Sequence, residues 1–228
     1  MKLLIAWLTI KIFRMINDLL WQFFALSAKS SNASDLVRPF PALYYDDSGA
    51  KDFDRLSSEI HKRNKDLENF LTKAMPDIKL IKSDQVIRNL FKTKKSSRPD
   101  FVFRVDWPEG REARFQNNTS RGTLLAFHGS KPENFYSILQ HGLVQCLNKR
   151  NLFGDGTYLT TEIEIALEFA PSQLCSILDA NFNISSLRCV ALCEVAKGRD
   201  SENYCIQVLH KTFLEPYIRR PWSKFIDK

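Results

Sequence analysis

Two short segments of the chain carry residue types that suit the binding of a ligand. His128 and Gly129 end the apolar run at residues 124–127, and Tyr158 follows the glycine-bracketed turn at residues 154–156. Each segment is predicted to be a strand that leads into a tight turn, which is where a fold commonly presents groups to a ligand. Because glycine lacks a Cβ atom, the backbone of Gly129 can approach a carboxamide, which needs one donor and one acceptor.

Each of these features also has an explanation that needs no ligand. His128 is consistent with a half-buried histidine that hydrogen-bonds locally, and the 154–156 turn with a surface hairpin. Phe169 lies on a predicted helix, and its ring together with that of Tyr158 could hold a flat heteroaromatic ring. Taken alone, however, Phe169 is better explained as a core residue. Only the combination of these residues favours a ligand site.

The spacing of apolar residues indicates which elements hold these segments in place. In about the first ninety residues, apolar side chains such as Phe53, Leu56 and Ile60 recur at helical spacing. Further along, apolar and polar residues alternate, most strictly over residues 187–195, which predicts strands.

The polar segment 92–99 is interpreted as a linker between these two regions. We therefore predict an α+β fold, with an α-helical domain at residues 1–95 and a mixed, mainly antiparallel β domain at residues 96–228. Two short helices are expected inside the β-rich part, because capping boxes begin at Ser130 and at Thr161.

The N-terminal segment, residues 1–26, allows three interpretations. It is largely apolar, but Lys11, Arg14, Asp18 and Gln22 interrupt it on one helical face. A membrane-spanning helix would need about 20 consecutive apolar residues. An amphipathic helix packed on its own protein is favoured, ahead of a helix lying on a membrane surface and of a secretory signal.

Composition argues against several other classes of protein. The net charge is +7, but the basic clusters lack the interleaved aromatic residues of a nucleic-acid surface, so no specific nucleic-acid partner is expected. None of the five cysteines forms a Cys-x-x-Cys pair, which favours a reducing compartment over a disulfide framework or a metal site. Cys189 and Cys193 are interpreted as core residues.

Together with a third tyrosine, Tyr204, the two segments resemble the catalytic domain of the poly(ADP-ribose) polymerase family. That family has a histidine strand, a glycine-bracketed tyrosine and a third signature residue in this order. The resemblance runs from about residue 18 to about residue 217 and is strongest to the small mono-ADP-ribosylating branch that is tail-anchored in the endoplasmic reticulum. It implies an ADP-ribosyltransferase domain preceded by a helical domain, on the cytoplasmic side of that membrane. Residues 217–222 contain no apolar stretch long enough to serve as the anchor.

The resemblance also implies a role for each matching residue toward NAD, the co-substrate of the family. His128 would hydrogen-bond the adenosine ribose, and the backbone of Gly129 would hold the nicotinamide carboxamide. Tyr158 and Phe169 would stack on either side of the nicotinamide ring. His128 and Tyr158 are accordingly expected to be both binding and catalytic residues.

Three further positions follow from the same resemblance. Asn148 and Phe153 would contact NAD from the segment at residues 147–153 that covers the donor site. Tyr204 would be the third catalytic residue, where chain-elongating members carry glutamate. A tyrosine is neutral at pH 7 and cannot act as the base that activates an incoming ADP-ribose. The resemblance therefore implies transfer of single ADP-ribose units to protein side chains, with release of nicotinamide and no metal.

Two other functions stay open on the sequence alone. The chain could be an inactive module that binds NAD or ADP-ribose, because the connection at residues 196–203 is short and Pro216 lies where the family has an apolar strand. It could also be an interaction protein that acts through its N-terminal helix. The expected partners are NAD, acceptor proteins including the chain itself and, in this last case, a membrane surface at residues 1–26.

Overall fold

The structure is a computed structural model that describes residues 2–81, 99–107, 109–143 and 157–197. Helices α1 to α8 span Lys2–Ala28, Ala33–Leu36, Phe53–Glu59, Lys65–Ala74, Glu109–Gln116, Phe135–His141, Ile163–Glu168 and Ile177–Phe182. Strands β1 to β6 span Asp77–Leu80, Phe103–Asp106, Thr123–Ser130, Gln173–Leu174, Ser186–Leu187 and Cys189–Ala196. Helices dominate the first part and strands appear in the second, which confirms the predicted α+β fold.

The described strands form three antiparallel pairs: β1 with β2, β3 with β6, and β4 with β5. The β3–β6 pair is the longest and places Ala126 opposite Cys193. The alternating pattern over residues 187–195 thus correctly predicted β6. Strand β1 lies within the region expected to be helical, and it pairs with β2 across the proposed domain boundary. The division at residue 95 stays a prediction.

The two faces of β3 pack against different neighbours. On one face, Ala126 belongs to a cluster of buried apolar residues that also contains Leu143, Leu159, Cys193 and Val195. On the other face, Phe127 packs on Ile163 and Ala166 of α7. Because side chains alternate along a strand, His128 lies on the face of Ala126, and Gly129 lies on the face that α7 covers.

Helix α1 contributes its second half to the main hydrophobic core. Phe23 stacks on Phe135 of α6 with ring centroids 5.5 Å apart, and Phe24 contacts Tyr136 at 5.0 Å. The packing of residues 15–28 therefore confirms the prediction that this helix packs on its own protein. Within the part of the chain that the structure describes, no helix combines the length and the apolar character that crossing a membrane requires.

Two of the polar residues that interrupt α1 lie inside the protein, although an amphipathic helix would turn them to solvent. Asp18 is only 1% exposed, and its Oδ1 atom lies 2.6 Å from Nη1 of Arg63. The Arg63 guanidinium also lies 5.1 Å from the ring centroid of Trp21. Gln22 is buried as well, and its Oε1 atom accepts a hydrogen bond of 3.0 Å from the Ile177 N–H. These partners from distant parts of the chain make the burial of Asp18 and Gln22 possible.

Replacing Asp18 by alanine is expected to lower the free energy of unfolding by about 2 kcal/mol, measured by urea denaturation. Removing one member of a buried ion pair costs about 3–5 kcal/mol, but the Arg63 side chain is 30% exposed, so water recovers part of that loss. Asp35→Ala is the control, because it removes an exposed pair with Arg38 and should cost less than about 1 kcal/mol. Equal losses in the two variants would contradict a stabilising role for the buried pair.

The two short helices predicted for the second half, α6 and α7, occur where the sequence predicts them but without the expected capping boxes, whereas α5 and α8 were not predicted. Helix α6 follows a 3-10 turn at Pro132–Asn134 and ends before Gly142, whose φ of 81° suits glycine. The hydroxyl of Ser130 accepts a hydrogen bond from the Asn134 side chain instead of from the backbone of the helix. The N-cap of α7 is Glu162, which makes no capping hydrogen bond through its side chain.

Candidate active site

Residues 157–160 run beside β3, on the side away from β6. Phe127 and Thr160 exchange two backbone hydrogen bonds, in which the Phe127 N–H donates at 2.6 Å and the Thr160 N–H at 3.0 Å. In an antiparallel register, this pairing places Tyr158 opposite Gly129. The two segments singled out in the sequence are therefore neighbours in the fold.

A side-chain hydrogen bond joins these two segments directly. The Nδ1 atom of His128 lies 3.0 Å from the carbonyl oxygen of Tyr158. A carbonyl oxygen can only accept, so Nδ1 carries the proton. Burial lowers the pKa of His128 below its usual range, so the ring is neutral at pH 7 and Nε2 carries no proton. His128 thus offers Nε2 as a hydrogen-bond acceptor, which suits a ligand hydroxyl.

The lowered pKa of His128 predicts that stability depends on pH. In the unfolded chain the imidazole binds a proton near its ordinary value of 6.5, whereas the folded protein resists protonation. The contribution of His128 to the free energy of unfolding is therefore fully present above the pKa of the unfolded chain. It is lost as the pH falls toward the lower pKa of the folded state. When the pH is lowered from about 7.5 to about 5, the free energy of unfolding, measured by urea denaturation, should fall less for His128→Gln than for the wild type. Parallel profiles would contradict the lowered pKa.

Gly129 lets the backbone of α7 pack tightly on β3. An ideal Cβ atom at this position would lie 1.7 Å from the carbonyl oxygen of Ala166 and 2.7 Å from the carbonyl carbon. Any side chain would therefore collide with main-chain atoms. The sequence predicted a close approach by a ligand at Gly129, and the structure shows a close approach by a helix on the face where Cβ would stand.

The polar backbone groups of Gly129 point in a different direction from its missing side chain. On a strand, the N–H and C=O groups of residues i and i+2 point to the same edge. Those of Gly129 therefore point to the same edge as those of Phe127, toward Tyr158. Backbone pairing between β3 and residues 157–160 occurs at Phe127 and Thr160. The carbonyl of Tyr158, which a continued ladder would offer to Gly129, is engaged by His128 Nδ1.

Phe169 lies at the C-terminal end of α7, and its position is linked to that of Gly129. Its N–H donates a hydrogen bond of 3.1 Å to the carbonyl oxygen of Ala166, the atom that contacts Gly129. Its side chain is 51% exposed. Phe169 is therefore not a core residue, and its ring is available to a ligand.

Arg188, whose role the sequence did not suggest, holds the end of the same helix. Its Nε atom donates a hydrogen bond of 2.6 Å to the carbonyl oxygen of Ala170, and its Nη2 atom donates another to the carbonyl oxygen of Leu167. In the sequence Arg188 is one polar residue of an alternating strand pattern. Only the lack of a capping residue after α7 could have suggested that an arginine is needed there.

Several predicted site positions lie outside the described residues. They are the proposed loop residues Asn148 and Phe153, the turn glycines Gly154 and Gly156, and the third signature residue Tyr204. Their roles stay predictions. Among the residues that the structure does describe, no three His, Cys, Asp or Glu side chains group in a way that could hold a metal ion.

Comparison with known proteins agrees with the arrangement of these elements. The family model described as the poly(ADP-ribose) polymerase catalytic domain matches residues 79–212, more than half of the chain. The chain belongs to the poly(ADP-ribose) polymerase family. A second model, described as the ARTD15 N-terminal domain, matches residues 10–88 of this family member. The predicted order of a helical region followed by the catalytic domain is confirmed.

Two curated relatives of this poly(ADP-ribose) polymerase family member carry the same name. Protein mono-ADP-ribosyltransferase PARP16 of Homo sapiens is 33% identical, over 80% of this chain and 63% of the human protein. The protein of that name from Mus musculus is 31% identical, with the same shares of the two chains covered. The chain therefore spans less than two thirds of the length of these relatives.

Proposed function

We propose that the protein is an NAD-dependent mono-ADP-ribosyltransferase that modifies protein side chains. In this reaction the bond between nicotinamide and the ribose of NAD breaks, nicotinamide leaves, and an acceptor side chain takes the ADP-ribose. The observation that carries the proposal is the hydrogen bond from His128 to the Tyr158 carbonyl, which joins the two signature segments within a chain of this family.

The described residues fit the chemical groups of NAD. The N–H and C=O groups of Gly129 offer the nicotinamide carboxamide one donor and one acceptor. The exposed ring of Phe169 and the ring of Tyr158 would stack on the nicotinamide. The deprotonated Nε2 atom of His128 would accept a hydrogen bond from a hydroxyl of the adenosine ribose. By the family resemblance, Asn148 and Phe153 would also contact NAD.

These residues would act on the reaction mainly by positioning. Positive charge develops on the ribose as nicotinamide leaves, so a site that fixes both ends of NAD favours the transition state over the ground state. The neutral imidazole of His128 would hold the adenosine ribose without adding a positive charge to the site. Tyr158 would fix the plane of the leaving nicotinamide. Transfer would stop at one unit because Tyr204, unlike glutamate, cannot activate a second ADP-ribose.

The proposal is tested by incubating the purified chain with NAD and measuring nicotinamide release by chromatography, with ADP-ribose attachment followed by intact mass. We expect release together with additions of single ADP-ribose units, either on the chain itself or on added acceptor proteins. Tyr158→Ala should lose the activity, whereas Tyr45→Ala, at a partly exposed tyrosine outside the site, should keep it. Binding of NAD without release would support the inactive module instead.

We also propose the cytoplasmic face of the endoplasmic reticulum as the location, because the sequence resembles the branch found there. Residues 1–26 are not proposed as the membrane contact, since α1 is buried from Met15 onwards on most of its faces. Cell fractionation, followed by protease treatment of intact microsomes, tests this location. Recovery of the chain in the lumen would contradict it.

A further inference from the structure

We propose that Arg188 is a positioning residue that fixes the ring of Phe169 for stacking on the nicotinamide group. This inference rests on the proposed function, because it assumes that a flat carboxamide ring binds beside Gly129. Arg188 would not touch the ligand itself, because its side chain would act only through the backbone at the end of α7.

The guanidinium of Arg188 binds carbonyls on both sides of Phe169. Leu167 lies two residues before the phenylalanine and Ala170 one residue after it, and Arg188 donates to both carbonyl oxygens. The last turn of a helix leaves carbonyls without partners, and a cation at that end is also favoured by the helix dipole. The planar fork of arginine presents its donors in a fixed geometry that can hold two such carbonyls at once, whereas lysine offers a point charge on a flexible stem.

The backbone of Arg188 leads directly into β6, which belongs to the sheet that carries the site. Arg188 lies between β5 and β6, two residues before Val190, and Val190 pairs with Gly129 of β3. The guanidinium therefore ties the end of α7 to the strand beside Gly129. Phe169 is held from a second direction by its own hydrogen bond to Ala166, whose carbonyl contacts Gly129. These two links set where the exposed ring stands relative to Gly129.

Loss of the Arg188 side chain would leave the end of this six-residue helix with two fewer hydrogen bonds. Short helices with unsatisfied ends fray, and fraying here would let the ring of Phe169 move relative to Gly129. The effect should fall on ligands that contain the flat carboxamide ring. ADP-ribose lacks that ring, so its binding should not depend on Arg188.

The test compares the binding of nicotinamide and of ADP-ribose by isothermal titration calorimetry. For Arg188→Ala we expect affinity for nicotinamide to fall about tenfold, which corresponds to about 1.4 kcal/mol, and affinity for ADP-ribose to stay unchanged. Arg188→Lys should recover part of the loss, because it keeps the positive charge and can donate hydrogen bonds but lacks the planar fork. Arg104→Ala is the matched control, since it removes another exposed arginine, which pairs with Asp106 on β2. It should bind both ligands as the wild type does.

A double variant separates positioning from a general loss of structure. If Arg188 acts through Phe169, then Phe169→Ala and the variant that combines it with Arg188→Ala should bind nicotinamide equally weakly. Additive losses, or an equal loss of both ligands in Arg188→Ala, would overturn the inference. If Arg188→Ala bound nicotinamide as tightly as the wild type does, the inference alone would be overturned. If the wild-type chain bound neither ligand, the proposed function would be contradicted as well.

Discussion

Replacing Gly129 by alanine is expected to lower the free energy of unfolding by at least about 3 kcal/mol and to abolish nicotinamide release. The added Cβ would stand 1.7 Å from the main-chain oxygen of Ala166, and backbone atoms cannot turn away as a side chain can. Helix α7 would have to move off β3, which would separate Phe127 from Ile163 and displace Phe169. Urea denaturation and nicotinamide release measure the two effects.

Gly110→Ala is the matched control for this substitution. Gly110 lies in α5, and an added Cβ there meets no atom within 4 Å. Because alanine favours a helix by about 1 kcal/mol over glycine, this variant should be at least as stable as the wild type and fully active. If Gly129→Ala also kept its stability, the tight packing of α7 on β3 would be disproved.

Replacing His128 by alanine is expected to reduce kcat/KM for nicotinamide release about 100-fold. The substitution removes the Nδ1 hydrogen bond that holds the Tyr158 carbonyl. It also removes the Nε2 acceptor that we propose for the ribose hydroxyl. Both losses displace NAD relative to Gly129, and small displacements of a bound substrate are costly to catalysis. Initial rates at several NAD concentrations give this value.

His141→Ala serves as the control for the histidine variant. Like His128, His141 makes a ring hydrogen bond to a backbone carbonyl, in its case to Arg38 at 2.7 Å, but it lies at the end of α6. We expect this variant to release nicotinamide at nearly the wild-type rate. If the two variants lost activity equally, the loss would reflect general structure, and the assignment of His128 to the NAD site would fail.

The sequence was sufficient for those features of the fold that depend on local pattern. The apolar run at residues 124–127 predicted β3, the alternation over residues 187–195 predicted β6, and the polar position of His128 at the end of its run distinguished it from its neighbours. Glycine at position 142 correctly marked the end of α6. Such signals are visible in sequence because side-chain alternation and glycine's tolerance of positive φ act over a few residues.

Other features could not be predicted because they depend on partners that are far away along the chain. Asp18 and Gln22 read as the polar face of an amphipathic helix, yet Arg63 and the backbone of Ile177 allow them to be buried. The steric need for glycine at position 129 depends on where the backbone of α7 passes. The binding of Arg188 to two carbonyls depends equally on tertiary packing, since its sequence neighbours give no hint of it.

The burial of α1 has a consequence for how the protein is made. The hydrogen bond from the Ile177 N–H to Gln22 joins residues 155 positions apart, and Phe23 packs on Phe135. At about 5–20 residues per second, synthesis needs on the order of ten seconds between Gln22 and Ile177. During much of this interval α1 lies outside the ribosome, while the segments that carry Phe135 and Ile177 do not yet exist. We therefore expect the nascent chain to need a chaperone at α1, well before the protein can fold.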